Sequence, residues 1–156
     1  MRIGILGDSH EQVKDIDRCI KKLNNVNIII HTGDMLKDAL YITRKHNIPV
    51  IGVRGNCDPY NAGEEEILYT ANNYNILICH GHNYGVKSSL KMILHRGKNA
   101  NAHIIVFGHT HIPYYEQVDS IHLLNPGSLA FPRGFSKKSV AIIEINERIS
   151  IKHIEV

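Results

Sequence analysis

Five short stretches hold most of the side chains in this sequence that can do chemistry. They are "GDSH" with Asp8 and His10, "HTGD" with Asp34, "RGNCD" with Asn56, Cys57 and Asp58, "CHGH" with His80 and His82, and "GHTH" with His109 and His111. Imidazole nitrogens mixed with carboxylate oxygens and one amide suit Mn, Fe, Ni, Co or Zn better than a thiolate-rich site or an all-oxygen cage for Ca or Mg. These are more donors than one ion takes. A carboxylate shared between two cations would accommodate them, and paired metals are characteristic of phosphate-ester hydrolysis. No serine or cysteine nucleophile constellation competes with this reading, because Ser9 lies inside the first stretch and Cys79 ends an apolar run just before His80.

Donors so far apart in the chain meet only if folding delivers them to one edge. Each stretch follows a short apolar run: "RIGIL" before Gly7, "NIIIH" before Gly33, "PVIGV" before Gly55, "NILIC" before Gly81 and "HIIVF" before Gly108. These runs predict five strands, each with a loop at its carboxyl end, where open α/β sheets bind ligands. Helix-like stretches over 11–23 and 37–46 separate the first three strands, and this βαβαβ order favours parallel pairing. A third helix is predicted over 85–96. From Tyr114 onward, "YYEQV", "IHLLN", "SVAIIEI" and "ISIKHIE" read as short antiparallel strands or hairpins. His109 and His111 stand two residues apart where a strand leaves regular pairing, so both rings can enter one pocket. The expected architecture is an α/β domain with a mixed, two-layered sheet.

At 156 residues, the length matches a single domain over 1–156 with a core that needs no staples. Its 43% hydrophobic and 21% charged residues are ordinary for a globule. There is no apolar run of membrane-spanning length, and "IGIL" lacks the features of a signal peptide, so a cytoplasmic protein with no membrane partner is expected. Cys19, Cys57 and Cys79 form neither a CxxC pair nor a disulfide framework and read as reduced thiols. A net charge of +3 is compatible with an anionic substrate, while the lack of a dense Lys/Arg run argues against specific duplex nucleic-acid binding. His31, His46, His95, His103, His122 and His153 read as structural or surface residues, and the glutamates at 64–66 as an exposed charge run.

Taken in order, the blocks D-x-H, GD, GN-x-D, HGH and GHTH from Asp8 to His111 resemble the calcineurin-like metallophosphoesterases. "NPGSLAFPRG" at 125–134 is similar to the C-terminal signature of their small bacterial and archaeal YfcE-type phosphodiesterases. One such block alone carries little weight; the specificity belongs to the ordered set. The resemblance implies a single-domain αββα sandwich with two mixed β-sheets flanked by helices. It also implies two divalent transition metals, with Mn or Ni favoured over Fe, Co or Zn. One metal would be held by Asp8, His10, His111 and a bridging Asp34, the other by Asp34, Asn56, His80 and His109. A metal-bridging hydroxide would then attack a small phosphodiester, and the family habit implies a homodimer or homotetramer.

The sequence departs from the wider superfamily at "GNCD". Many members have a histidine where this chain has Cys57, and that histidine, with the following aspartate, assists the leaving group. Cysteine is common in the YfcE-type branch. Cys57 therefore reads as a spacer or a weak acid beside Asp58, with His82 as a substitute donor and Arg54 or Arg133 as phosphate contacts. The alternative is a non-catalytic protein-binding scaffold on the same fold, like the metallophosphoesterase-like subunit of retromer. Ligand completeness discriminates the two, and all seven metal positions here hold ligating side chains.

Overall fold

The computed structural model describes residues 1–156. In chain order the elements are β1 (Arg2–Leu6), α1 (Val13–Lys22), β2 (Ile28–His31), α2 (Lys37–His46) and β3 (Val50–Gly52). There follow β4 (Glu66–Ala71), β5 (Tyr74–Cys79), a single 3₁₀ turn at His82–Tyr84, α3 (Lys91–Asn99) and β6 (Ile104–Val106). The chain finishes with β7 (Pro113–Val118), β8 (Ile121–Pro126), β9 (Ser139–Ile145) and β10 (Ile149–Glu155). They form two mixed five-stranded sheets, ordered β10-β9-β1-β2-β3 and β4-β5-β6-β8-β7. β1, β2 and β3 are parallel, as are β5, β6 and β8. The terminal segments pair as the hairpins β7–β8 and β9–β10.

Strand periodicity divides the apolar residues between layers. Ile3, Ile5, Ile30, Val53, Ala141 and Ile143 point from the first sheet toward Ile76, Ile78, Ile104, Val106 and Leu124 of the second, within a cluster of 13 buried residues. The alternate residues face outward: Leu6, Ile29 and Ile142 pack under Ile16, Cys19 and Ile20 of α1 and Ile42 of α2. On the other side Leu77, Ile105 and Leu123 pack under Ile93 of α3. The result is the expected αββα sandwich, in which truncating a buried isoleucine to alanine costs about 2–5 kcal/mol.

Three sequence expectations shift. The strand β4 goes beyond the sequence expectation, because its outward Leu68 is apolar and hides the inward–outward alternation. The third helix begins at Lys91 rather than Gly85, since Gly85 adopts a left-handed conformation (φ 60°) that closes the 3₁₀ turn. The glutamates at 64–66 are not simply solvated: Glu65 pairs with Arg54, while Glu66 accepts from Arg96 and from the Tyr84 hydroxyl. Between the sheets the chain crosses only at 53–65 and 127–138, and both crossings pass the rim where the parallel strands end.

Candidate metal centre

The loops after β1, β2, β6 and β3 or β5 bring the candidate ligands together. Donor atoms of Asp8, His10, Asp34 and His111 all lie within 4.8 Å of one another. Asp34 sits between two groups: its Oδ2 is 3.7 Å from His10 Nε2, and its Oδ1 is 3.4 Å from His80 Nε2. His80 Nε2 is in turn 3.2 Å from Asn56 Oδ1, and the His80 and His109 rings are 5.0 Å apart. All seven residues therefore meet at one rim, four from the first sheet's loops and three from the second's.

Ring tautomers test whether this arrangement fits metal ions. The Nδ1 of His80 is 2.8 Å from the Thr32 carbonyl and that of His111 is 2.8 Å from the Phe131 carbonyl. A carbonyl only accepts, so each Nδ1 carries hydrogen and each neutral ring presents a bare Nε2. Those lone pairs face oxygen: His80 looks at Asp34 and Asn56, and His111 Nε2 is 3.1 Å from Asp8 Oδ1. Lone pairs set against lone pairs require a cation, either a proton or a metal. Asp8 Oδ1 and His10 Nε2 are buried with no hydrogen-bond partner, and a backbone carbonyl behind each ring is the usual support for a ligating histidine. The donor set fits divalent transition metals.

The backbone is bent to make this possible. Asp8, His10, Asp34, His109 and His111 all have φ between 42° and 67°, the left-handed region that non-glycine residues seldom enter and that gathers at functional sites. Close backbone approach is needed at Gly33, with φ 100°, where a Cβ would lie 2.8 Å from the Gly55 nitrogen. The Asp8 loop is braced from below by a network the sequence did not reveal. The Gly33 N–H donates to His31 Nδ1 (3.1 Å), so the Nε2–H of this fully buried imidazole is left to face Ser9 Oγ (3.0 Å). Ser9 donates on to Asp38 Oδ2 (2.6 Å), which also takes the Glu11 N–H. Burial holds the His31 imidazole below its ordinary pKa, in keeping with a neutral ring. A histidine directly before "TGD" at a strand end was the available signal.

Charges in the site are mutually adjusted. Burial alone would raise the Asp34 carboxyl, but His80 and the Cys57 N–H hold it below its ordinary value. His109 is pushed down to about 4 by burial and by the neighbouring His80 and Lys87. The Asp8 carboxylate raises His111 despite burial.

The residues expected to assist a leaving group lie around this cluster. Asp58 gives both oxygens to backbone, Oδ1 to the Leu36 N–H (2.7 Å) and Oδ2 to the Gly55 N–H (2.8 Å), so it ties the loop after β3 to the one after β2. Cys57 is solvent-exposed, its thiol pushed up to about 11 by partial burial and by Asp34. The His82 ring lies tilted beside His80 (centroids 5.3 Å apart) and His109 (6.1 Å), and burial and His80 lower its pKa. Arg54 is engaged by Glu65 and by the Tyr60 ring, 4.7 Å away. Arg133 is exposed, and its N–H donates to the His111 carbonyl (3.0 Å).

Residues 1–148 match the calcineurin-like phosphoesterase superfamily domain. The chain belongs to this superfamily. Among its relatives, the probable metallophosphoesterase YsnB of Bacillus subtilis is 32% identical over 146 residues, 93% of this chain and 85% of YsnB. The phosphodiesterase YfcE of Escherichia coli is 31% identical over 112 residues, 65% of this chain and 55% of YfcE. In structure, a Vps29 of Entamoeba histolytica, solved in complex with zinc, superimposes with a TM-score of 0.77 at 21% identity, covering 99% of this chain and 98% of that one. The superfamily's fold is thus shared with a protein named for vacuolar sorting as well as with phosphoesterases. No helix of this calcineurin-like domain is long and apolar enough to cross a membrane.

Proposed function

We propose that this chain is a metal-dependent phosphodiesterase that hydrolyses small phosphodiesters. The observation that carries the reading is Asp34, whose two oxygens face His10 on one side and His80 on the other within a complete set of seven donors. Asp8, His10 and His111 would hold one divalent ion and Asn56, His80 and His109 the other, with Asp34 shared; Mn and Ni are favoured, and Fe, Co and Zn are compatible. When bound, the pair supplies positive charge for the phosphoryl oxygens and lowers the pKa of coordinated water toward about 7.

The protein's own part is to orient and to handle protons. The Thr32 and Phe131 carbonyls aim His80 and His111. Asp58 holds the loop that carries Asn56 and Cys57. Cys57, with its thiol near 11, remains protonated at neutral pH and stands beside the cluster without a strong acid's driving force, which suits substrates whose leaving group needs little help. His82 is the other proton donor within reach of that side. The family habit supports a homodimer or homotetramer.

The second reading, a protein-binding scaffold, draws on the fold shared with Vps29. Purified metal-free protein, reloaded in turn with Mn, Ni, Co, Zn and Mg and assayed on diester and monoester panels, separates the two. Metal-dependent turnover of a diester is expected; metal binding with no turnover on either panel favours the scaffold.

A further inference from the structure

A groove of about 350 Å³ opens beside the metal centre. The buried residues Phe107 and Val86 form its floor, and Leu90, Ile112 and Tyr114 its sides. Its volume is within the range of small-molecule sites and allows little more than one ring with a substituent. The Phe107 and Tyr114 rings, with centroids 6.3 Å apart, give it flat apolar faces.

The groove borders the site because the same loops build both, although none of the seven candidate ligands lines it. Phe107 ends the segment that leads into His109, and Thr110, between His109 and His111, stands at the junction. Its hydroxyl is held by Asn125 Nδ2 (3.1 Å), so that wall is formed in advance. Val86 and Lys87 follow His80 and His82 on the loop after β5. Arg133 belongs to the crossing whose Phe131 carbonyl holds His111. Its charge pattern is one-sided. Lys87 and Arg133 are its only cationic lining residues, both are exposed, neither is in an ion pair, and no carboxylate lines the groove. The field of Lys87 reaches His109, and that of Arg133 reaches His111.

We propose that the groove binds one organic arm of the phosphodiester, an aromatic group carrying a second anion that Lys87 and Arg133 neutralise. This rests on the phosphodiesterase reading and adds the substrate class to it. A plain dialkyl diester would leave both the apolar floor and the two cations without a partner.

The test keeps nitrophenolate as the leaving group and varies the other arm through methyl, phenyl, carboxyphenyl and phosphonophenyl on manganese-loaded protein. The expected kcat/KM rises about tenfold from methyl to phenyl, as burial of one ring predicts. It rises about three- to fivefold further with either anion, as expected for partly exposed charge pairs. Carboxyphenyl and phosphonophenyl together show whether charge alone or phosphorus geometry is read. Lys87→Ala and Arg133→Ala should each remove the gain from the anion and keep the gain from the ring; Ile112→Ser should reduce the gain from the ring. A flat series in an active enzyme overturns the groove and leaves the phosphodiesterase reading standing. If no diester is hydrolysed, that reading falls, and calorimetry with unreactive methyl and carboxyphenyl phosphonates decides the groove. Binding of the carboxyphenyl probe tighter than the methyl probe by about tenfold or more, with only the anion's share of about three- to fivefold lost in Lys87→Ala, keeps it; equal affinities overturn it.

Discussion

Gly55 packs against Asp34 so closely that a methyl group on its α-carbon would fall 2.2 Å from Asp34 Oδ1 and 2.6 Å from the Asp34 amide nitrogen. The loop after β3 thus has no room for any side chain at this point, and the carboxylate expected to serve both metals is located by contact with bare backbone. Gly55→Ala should cost about 1–3 kcal/mol of stability through overpacking. It should also weaken metal binding, though it alters no ligand. Denaturant midpoints and metal titration of the variant check this; unchanged affinity would show that the loop yields without moving Asp34.

Asp34→Asn keeps the shape and removes the charge seen by His10 and His80. Both metal equivalents should weaken, by more than the about 10–100-fold that loss of an outer-sphere partner costs. His82→Ala should leave stoichiometry at two. Metal analysis after dialysis distinguishes them, and an Asp34→Asn protein that retains two tightly bound ions refutes the shared carboxylate.

Acid should remove metal in a particular order. His111 has a raised pKa, so in metal-free protein a proton competes for it more readily than for an ordinary histidine; His109, at about 4, stays neutral to much lower pH. Affinity should therefore fall first, as pH drops, for the ion expected at His111, with the ion expected at His109 retained to lower pH. Metal titrations at pH 8, 7 and 6 check this; simultaneous loss of both ions would contradict it.

Asp17 joins α1 to α2 by accepting from Lys45, His46 and the Tyr41 hydroxyl, and its pKa falls to about 2, with Lys45 the largest cause. A carboxyl lowered on folding stabilises the folded state above its unfolded pKa, near 3.9, and that contribution fades as pH falls toward about 2. Asp17→Asn should therefore melt earlier than wild type at pH 7, and the gap should narrow between pH 5 and 2.5. A gap independent of pH would mean that lost packing, not charge, accounts for it.

Cys57 invites a test of proton delivery. Cys57→Ala should keep turnover of nitrophenyl diesters within about threefold, because a phenolate departs without an acid. Cys57→His should gain on alkyl phosphates relative to nitrophenyl esters. Comparison of kcat/KM on both substrate types, with metal content measured, decides the matter; selective loss on alkyl phosphates in Cys57→Ala would make the thiol the acid.

The donors were readable in the sequence because each lies in a glycine-bearing turn just after an apolar run, a pattern set by strand ends and tight turns. The supports were not. Thr32 and Phe131 act through carbonyls, and Asp58 through two backbone N–H groups, so their side-chain identities carry no trace of the partner. β4 is hard to see in the sequence because in "EILYTA" the outward Leu68 is apolar between the inward Ile67 and Tyr69, which masks the alternation that marks a strand. The helix over 37–46 was legible to the residue, since its amphipathic pattern ends at an Asn47 whose left-handed backbone closes it.

β1 lies between β2 and β9, with Ile3 opposite Ile143. During synthesis Asp8 and His10 emerge well over a hundred residues before the strand that carries them can gain its second neighbour, Ser139–Ile145. At about 5–20 residues per second, several seconds separate the two events, and pairing across such a separation is slow in itself. Any metal the site takes would therefore load after β9 has paired with β1 and not before. A chain cut after Gly134 would keep every candidate ligand and still fail to assemble the place where they meet.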